Sequence, residues 1–259
     1  MTLFIYFRLI LIEYNQHTNL PTEYIKNKIS EFLNEDMPDG DKTTDSTIPT
    51  SSLILAKIIA NETMVFAGEI IIPHSFGSNC EISELCCDGY QLNKGDVIGI
   101  LKGPANIVLS RERVMLNLIQ RLCGIATDAQ KYADLAKPYG IKILDTRKTT
   151  PGLRLFEKYA VTIGGAFNHR LDLSSGILIK DNHIIAAGSV TNAIQQARYK
   201  NKSLPLEIEV DTTEQIQEAL KTVVDGFLLD NMNRQQINKA VDLIRNAPNG
   251  KNIFIEASG

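Results

Sequence analysis

The C-terminal half of the chain alternates short apolar runs with longer segments of helical periodicity. The apolar runs predict β-strands at residues 142–144, 177–179, 206–210, 226–229 and 252–255. The segments between them predict helices at residues 153–163, 189–199, 213–222 and 233–245. Strands that are separated by helices of this length predict βαβ units and a parallel sheet.

The N-terminal half shows a different pattern. Apolar residues at helical spacing predict a helix over residues 22–35, and residues 39–44 form a polar stretch that we interpret as a loop. Short β-type runs follow at residues 53–60, 64–67, 81–87 and 96–102. Residues 105–137 contain little Gly or Pro and predict one or two long helices at a domain junction. This half therefore predicts an α+β domain.

Polar or ionisable residues stand at the end of every strand predicted in the C-terminal half. They are Thr146, Arg147 and Lys148, then Lys180 and Asp181, Glu209 and Asp211, Asp230 and Asn231, and Glu256 and Ser258. A charge at one strand end is common because strand ends border solvent, but the repetition favours a site. In βα barrels the active site lies at these ends, so we expect Arg147, Lys180, Glu209 and Asp230 to face one cavity.

Cationic side chains cluster in this part of the chain, although the formal net charge is only −3. The cluster contains Arg147, Lys148, Arg170, Lys180, His169 and His183. Guanidinium and ammonium groups bind carboxylate and phosphate oxygens, so the cluster predicts a pocket for a polyanionic small molecule. No overall basic field is present to recruit nucleic acid or an anionic membrane. For the two histidines, substrate contact and a structural role both remain open.

Two carboxylates limit the chemistry of such a pocket. Glu209 and Asp230 would repel an anionic ligand unless they faced ribose hydroxyls, a metal ion or a developing positive charge. Glycosyl transfer with a pyrophosphate leaving group has such a centre, the sugar oxocarbenium ion. The chain has no GxGxxG sequence opening a helix and no Walker A sequence, so neither hydride transfer nor a P-loop kinase is supported.

The cysteines and the first residues indicate no further function. Cys80, Cys86, Cys87 and Cys123 have no paired CxxC spacing, and we interpret them as reduced core or interface thiols. Residues 1–12 are mostly apolar but are far shorter than the roughly 20 residues of a membrane-spanning helix. We interpret them as a dispensable extension or a misassigned start codon rather than as a targeting segment.

Several motifs, taken in order along the chain, resemble those of the quinolinate phosphoribosyltransferase family, also called nicotinate-nucleotide pyrophosphorylase (carboxylating). They are DTRKTTPG at residues 145–152, NHR at 168–170, LIKDNH at 178–183, EV at 209–210 and LLDN at 228–231. Supporting stretches are residues 40–44, 112–117 and 123–127, where the family often has serine in place of Cys123. The resemblance covers roughly residues 33–259, and so long an ordered set is more specific than a lone motif.

The resemblance implies an α/β fold with two domains. We expect an N-terminal extension over residues 1–20, an N-terminal α+β sandwich domain with a junction helix over 21–127, and an incomplete, open αβ barrel over 128–259. It also implies a cytoplasmic homodimer with shared active sites. The implied reaction joins quinolinate to phosphoribosyl pyrophosphate with Mg²⁺, and it gives nicotinate mononucleotide, pyrophosphate and CO₂ for NAD synthesis.

Individual residues acquire roles from the same resemblance. Arg147, Lys148, His169, Arg170 and Lys180 fall where the family binds quinolinate carboxylates and phosphates. Arg113 falls where one subunit lends an arginine to its neighbour's site, and Glu209 and Asp230 match positions that contact the ribose and its metal. The candidate catalytic residues are Lys148, Lys180, Glu209 and Asp230, and the strand-end residues Thr146 and Ser258 complete the candidate substrate-binding set.

The sequence departs from the family pattern in two places. Ala166 stands where a third glycine is usual after Gly164 and Gly165, which predicts a small shift of that loop. The chain stops at Gly259, whereas the family continues for about another strand-helix-strand unit, and we describe the expected barrel as C-terminally truncated. We expect the 259-residue chain alone to bind quinolinate weakly and to gain solubility and activity when extended.

Two alternatives remain open at this stage. One is the molybdenum-transport-associated relative of the family, which the intact motifs at residues 168–170 and 179–183 disfavour. The other is a non-catalytic, dimerising fragment, which only the early stop favours.

Overall fold

The computed structural model describes residues 12–259. The interpretation of residues 1–12 as an extension therefore falls almost entirely outside the described residues. The described chain divides into two compact units. The N-terminal unit comprises residues 15–171, and the C-terminal unit comprises residues 12–14 and 172–259. No helix in either unit is long and apolar enough to cross a membrane.

The N-terminal unit contains five α-helices, five strands and two short 3₁₀ helices within the described residues. The α-helices are α1 (Thr22–Asp36), α2 (Lys42–Thr47), α3 (Ile71–Phe76), α4 (Ala105–Ala136) and α5 (Arg154–Ile163). The strands are β1 (Leu53–Ile59), β2 (Met64–Val65), β3 (Glu81–Ser83), β4 (Gln91–Leu92) and β5 (Val97–Pro104). The 3₁₀ helices are Gly77–Asn79 and Lys137–Tyr139.

Antiparallel pairing organises the strands of this unit, with β5 between β1 and β3 and with β2 paired to β4. A single helix, α4, spans the 32 residues of the predicted junction because its buried residues recur at helical spacing without an internal proline. One apolar core joins α1, α3, α4 and the strands, with Phe66, Phe76 and Leu122 fully buried in it. The α+β prediction for this half is confirmed, whereas the loop predicted at residues 39–44 is wrong in its second part because α2 begins at Lys42.

The C-terminal unit is a four-stranded parallel sheet with helices in the connections. Its strands are β6 (Ile177–Ile179), β7 (Leu206–Val210), β8 (Gly226–Asp230) and β9 (Phe254–Ser258). Its helices are α6 (Asp181–Ala187), α7 (Val190–Lys200), α8 (Thr213–Ala219) and α9 (Arg234–Arg245), followed by a 3₁₀ turn at Gly250–Asn252. The strand order is β6-β7-β8-β9, and every pair is parallel. The predicted parallel sheet of βαβ units is thus confirmed for these four strands.

The register of the sheet separates an apolar face from a polar face. Ile208 pairs with Phe227, and both are fully buried in a core to which α7, α8 and α9 contribute. The next register position pairs Glu209 with Leu228. Because side chains alternate along a strand, Glu209 and Asp230 lie on the face opposite to that core. The two carboxylates therefore lie on the face of the sheet opposite to the one against which α7, α8 and α9 pack.

One predicted strand of the C-terminal half is wrong. Residues 142–144 form only an isolated bridge, in which Leu144 pairs with Phe167. The segment stands between the left-handed turn at Gly140 and the loop that begins at Asp145, and only Leu144 has a pairing partner. It belongs to the N-terminal unit. The domain boundary predicted at residues 127 and 128 falls inside α4, and that division stays a prediction.

The glycine pair before the NHR motif is required by the backbone. A Cβ on Gly164 would lie 2.3 Å from the carbonyl oxygen of Ala126 on α4, and Gly165 has a φ of +82°. Ala166 is buried, and its backbone N–H donates to the carbonyl of Val161 at 3.2 Å. The third position of the motif thus accepts a Cβ. The loop shift predicted from Ala166 stays a prediction.

Candidate active site

The cationic loop at residues 145–150 begins with a buried carboxylate. Asp145 forms an ion pair with Lys158 of α5, and both side chains are almost fully buried. The Asp145 carboxylate also accepts hydrogen bonds from the backbone N–H of His169 at 2.8 Å and from Nδ2 of Asn168 at 2.7 Å. One side chain therefore joins the start of the loop to α5 and to the NHR motif.

Lys158 completes this buried network. Burial lowers the pKa of Lys158, and the hydrogen bond and charge of Asp145 oppose that shift. The ammonium group also donates to the carbonyl oxygen of His169 at 2.9 Å. A buried charge is tolerated only when it is paired and hydrogen-bonded, and both conditions hold here.

The NHR motif at residues 168–170 is fixed from its own side as well. The backbone N–H and carbonyl of Asn168 both bind the side-chain amide of Gln16, at 2.8 and 3.1 Å. The backbone N–H of Arg170 donates to Nδ1 of His169 at 2.7 Å, so Nδ1 is an acceptor and a neutral ring carries its proton on Nε2. His169 and Arg170 are both buried. The motif thus holds its side chains in a defined orientation.

The cations of the loop are placed between fixed residues. Lys148 and Thr146 are exposed, and the backbone N–H of Lys148 donates to Oγ1 of Thr146 at 2.9 Å. Arg147 is partly buried, and its Nε has no hydrogen-bond partner among the described residues. A buried N–H of a charged group without an acceptor is costly, so this atom is suited to receive a ligand oxygen.

In the C-terminal unit, the predicted site residues gather at the carboxyl edge of the sheet. Lys180 follows β6 and forms an ion pair with Glu209 of β7. Asp230 ends β8, where its Oδ2 accepts from Asn231 at 2.7 Å, and it pairs in register with Ser258 of β9. The four residues thus lie at one edge and on neighbouring strands. Convergence of all the strand-end residues on one mouth stays a prediction, because Arg147 belongs to the other unit.

His183 has a local structural contact. Its Nδ1 accepts the backbone N–H of Lys180 at 2.9 Å, so the ring satisfies a free donor at the start of α6. This hydrogen bond fixes the backbone that carries Lys180.

Arg113 lies on an exposed stripe of α4 with Leu109 and Asn117, at spacings of four residues. It lines a cavity of about 560 Å³ in the N-terminal unit, which is formed by α1, α4 and residues 150–153. Basic Lys28 and Arg121 and acidic Glu31 and Glu35 line the same cavity. Arg113 is therefore displayed at the surface of its own unit.

The charged residues that support the loop were not predicted from the sequence. They are Lys158 and its neighbour Glu157, whereas Asp145 and Asn168 were recognised only as parts of motifs. A usable signal was present, because Glu157 and Lys158 stand between Phe156 and Tyr159 in the sequence and all four side chains are buried. Adjacent charges within an apolar helical segment must find partners, and such partners are often functional loops.

Among the cysteines, Cys123 is a core thiol whose pKa burial raises to about 11, whereas Cys87 is exposed.

Comparison with known proteins places these observations in a family. The family description "Quinolinate phosphoribosyl transferase, N-terminal domain" matches residues 41–123, and its C-terminal counterpart matches residues 125–259. The chain is 42% identical over 239 residues to the probable nicotinate-nucleotide pyrophosphorylase [carboxylating] of Bacillus subtilis, which covers 91% of this chain and 81% of that protein. It is 41% identical over 236 residues to the Synechocystis protein of the same description, with 89% and 79% covered.

A solved structure agrees with these sequence matches. The nicotinate-nucleotide pyrophosphorylase from Francisella tularensis superposes with a TM-score of 0.86 at 31% identity, over 95% of this chain and 94% of that chain. The two family descriptions together span most of the chain. The chain therefore belongs to the quinolinate phosphoribosyltransferase family.

Proposed function

We propose that this chain transfers the phosphoribosyl group of phosphoribosyl pyrophosphate to quinolinate, with decarboxylation, and so forms nicotinate mononucleotide for NAD synthesis. The observation that carries the proposal is the cationic loop, which presents the buried, unpaired Nε of Arg147 next to Lys148. Membership of the family supports it. Because both substrates are multiply charged and do not cross membranes unaided, we propose a cytoplasmic location.

The cations account for recognition of a dicarboxylate. Arg147, Lys148, His169, Arg170 and Lys180 supply donors for the quinolinate carboxylates and for phosphate oxygens, and the hydroxyls of Thr146 and Ser258 add neutral donors. Held in this way, the ring nitrogen is positioned for attack on the anomeric carbon.

The proposed reaction has two stages, displacement of pyrophosphate at the anomeric carbon and then loss of CO₂. A bond forms between the quinolinate nitrogen and the anomeric carbon while the bond to pyrophosphate breaks, and pyrophosphate leaves with the electron pair. Positive charge on the sugar in the transition state is stabilised by carboxylates such as Glu209 and Asp230. The carboxylate next to the nitrogen then leaves as CO₂, its bonding electrons stay on the vacated ring carbon, where the adjacent positive nitrogen stabilises them, and that carbon takes a proton. Lys148 and Lys180 are the cations that we propose to assist these steps.

The same two carboxylates fit a Mg²⁺ site. Glu209 and Asp230 lie on one face of neighbouring strands, and hard divalent cations of this kind are held by one or two carboxylates together with substrate phosphates. A Mg²⁺ ion held by these residues would supply positive charge against the departing pyrophosphate. Lys180 holds Glu209 in place through its ion pair.

Replacing these carboxylates tests that role. Glu209→Gln and Asp230→Asn are each expected to lower kcat by about a hundredfold and to raise the Mg²⁺ concentration needed for half-maximal rate. Glu214→Gln, which changes a carboxylate in the first turn of α8, is the matched control and is expected to leave both quantities unchanged. Wild-type Mg²⁺ dependence in the two site variants would remove Glu209 and Asp230 from the metal site.

We further propose that two copies of the chain form a homodimer in which Arg113 serves the partner's site. The exposed stripe of Leu109, Arg113 and Asn117 on α4 is suited to an interface, because it presents an apolar side chain next to a cation. This arrangement places the arginine on a helix, where its position is well defined.

Subunit mixing tests the shared site. Arg113→Ala and Lys148→Ala are each expected to be inactive alone. After subunit exchange, one site of each mixed dimer has both residues intact, so equal mixing should restore about a quarter of wild-type activity. Absence of any restoration in verified mixed dimers would indicate a site built from one chain.

Growth of a bacterial strain that lacks quinolinate phosphoribosyltransferase tests the proposed function. On medium without nicotinate, the wild-type chain is expected to restore growth, and the Lys148→Ala variant at equal soluble abundance is not. Failure of the soluble wild-type chain to restore growth would contradict the proposal.

A further inference from the structure

One face of α5 is bonded to the cationic loop at three points. Arg154, Glu157 and Lys158 have the i, i+3 and i+4 spacing that places them on one side of a helix. Nε of Arg154 donates to Oγ1 of Thr149 at 3.0 Å, and Oε2 of Glu157 accepts the backbone N–H of Thr150 at 3.2 Å. Lys158 forms the ion pair with Asp145 at the other end of the loop. Arg147 and Lys148 stand between these attachments.

Glu157 is the most connected of the three. It is buried, and its Oε1 accepts from Nε and Nη2 of Arg121 at 2.8 and 2.6 Å. Nη2 of Arg121 also donates to Oγ1 of Thr150 at 2.5 Å. Arg121 lies on α4, so Glu157 joins the end of the loop to two helices. Both carboxylate oxygens of Glu157 thus accept hydrogen bonds from within the protein, which ties this side chain to the fold.

We propose that Glu157 is a positioning residue for quinolinate, which acts by fixing the backbone at Thr150 and thereby the placement of Arg147 and Lys148. This inference rests on the proposed function, because it presumes that these two cations bind the substrate. Binding groups must be held within a fraction of an ångström, and loss of the attachment at Thr150 would let both cations move away from that position.

Glutamine at this position separates positioning from packing. It has nearly the same size, but it offers one acceptor oxygen, and its NH₂ group would face the N–H of Thr150 or the guanidinium of Arg121. The Glu157→Gln variant is therefore expected to lose one attachment while the helix packing is kept. We expect kcat/KM for quinolinate to fall by about tenfold to a hundredfold, mainly through a higher KM.

Hydrogen exchange supplies a measurement that does not require activity. In Glu157→Gln, the amides of residues 147–150 are expected to exchange at least about tenfold faster, while those of β5 and of the first turns of α4 keep wild-type rates. Lys131→Ala is the matched control, because it removes an exposed ion pair with Asp128 on α4, the helix that carries Arg121. It is expected to change neither the exchange nor the KM.

The outcomes are distinct. A wild-type KM together with unchanged exchange in residues 147–150 would overturn the proposal, and so would faster exchange throughout the N-terminal unit, which indicates a general structural role. An inactive wild-type chain would contradict the proposed function, and the exchange comparison would still decide the positioning.

If Glu157→Gln does not fold, Arg121→Met removes the partner of Glu157 and is judged by the same two measurements. Arg121→Lys should then recover part of the loss.

Discussion

Replacing Arg147 by alanine is expected to weaken quinolinate binding by about 2 to 5 kcal/mol, the cost of removing one partner of a buried, hydrogen-bonded charge pair. The reason lies in the geometry of this side chain. Its Nε is buried and has no partner among the described residues, so the free protein carries an unsatisfied donor that a substrate carboxylate would satisfy. Titration calorimetry with quinolinate measures the loss directly.

Two variants make this result specific to Arg147. Lys142→Ala removes an exposed cation that lies over the ring of Phe167 at 4.8 Å, and it is expected to leave quinolinate affinity unchanged. Arg147→Lys keeps the charge but lacks the planar fork, so only a small part of the affinity should return. An Arg147→Ala protein that binds quinolinate with wild-type affinity would exclude Arg147 from the binding site.

Replacing Lys158 by methionine is expected to destabilise the N-terminal unit by about 3 to 5 kcal/mol, because it leaves the buried carboxylate of Asp145 without its counter-ion. The variant also removes the hydrogen bond to the carbonyl of His169. Asp145 and His169, the two partners of Lys158, lie in the segments that carry the substrate-binding cations. Affinity for quinolinate should therefore fall together with stability. Urea denaturation followed by circular dichroism measures the change in the free energy of unfolding.

An exposed ion pair supplies the comparison for Lys158. Lys131 and Asp128 are both well exposed on α4, and Lys131→Ala is expected to change stability by less than about 1 kcal/mol. A similarly small change for Lys158→Met would show that Asp145 tolerates the loss of its partner, and the buried network would then not be what holds the loop.

The parallel sheet was predictable because its strands are short, mostly apolar runs that alternate with segments of helical periodicity. Ile208 and Phe227 are buried by helices on one face of the sheet, as is typical of parallel strands. The charged residues at the strand ends were predictable for the same reason, since the end of an apolar run marks the end of a strand. Lys180 was found in this way, whereas Glu209 lies within β7 near its carboxyl end, and the structure pairs the two side chains.

The partners of the residues that support the loop could not be predicted, because these pairs join distant segments of the chain. Gln16 binds Asn168 across 152 residues, and Arg121 binds Glu157 across 36. Sequence periodicity carries no information about such pairs. The wrong strand at residues 142–144 has a related cause, since an apolar run forms a strand only when a neighbour of sufficient length is available, and here Phe167 alone pairs with it.

The proposed reaction couples quinolinate to phosphoribosyl pyrophosphate with loss of one carboxylate. The most direct measurement incubates the purified chain with phosphoribosyl pyrophosphate, Mg²⁺ and quinolinate labelled with ¹³C in the carboxylate next to the nitrogen. We expect unlabelled nicotinate mononucleotide, with one labelled CO₂ and one pyrophosphate released per product, and little turnover when nicotinate replaces quinolinate. No nucleotide product from quinolinate, or equal turnover with nicotinate, would contradict it.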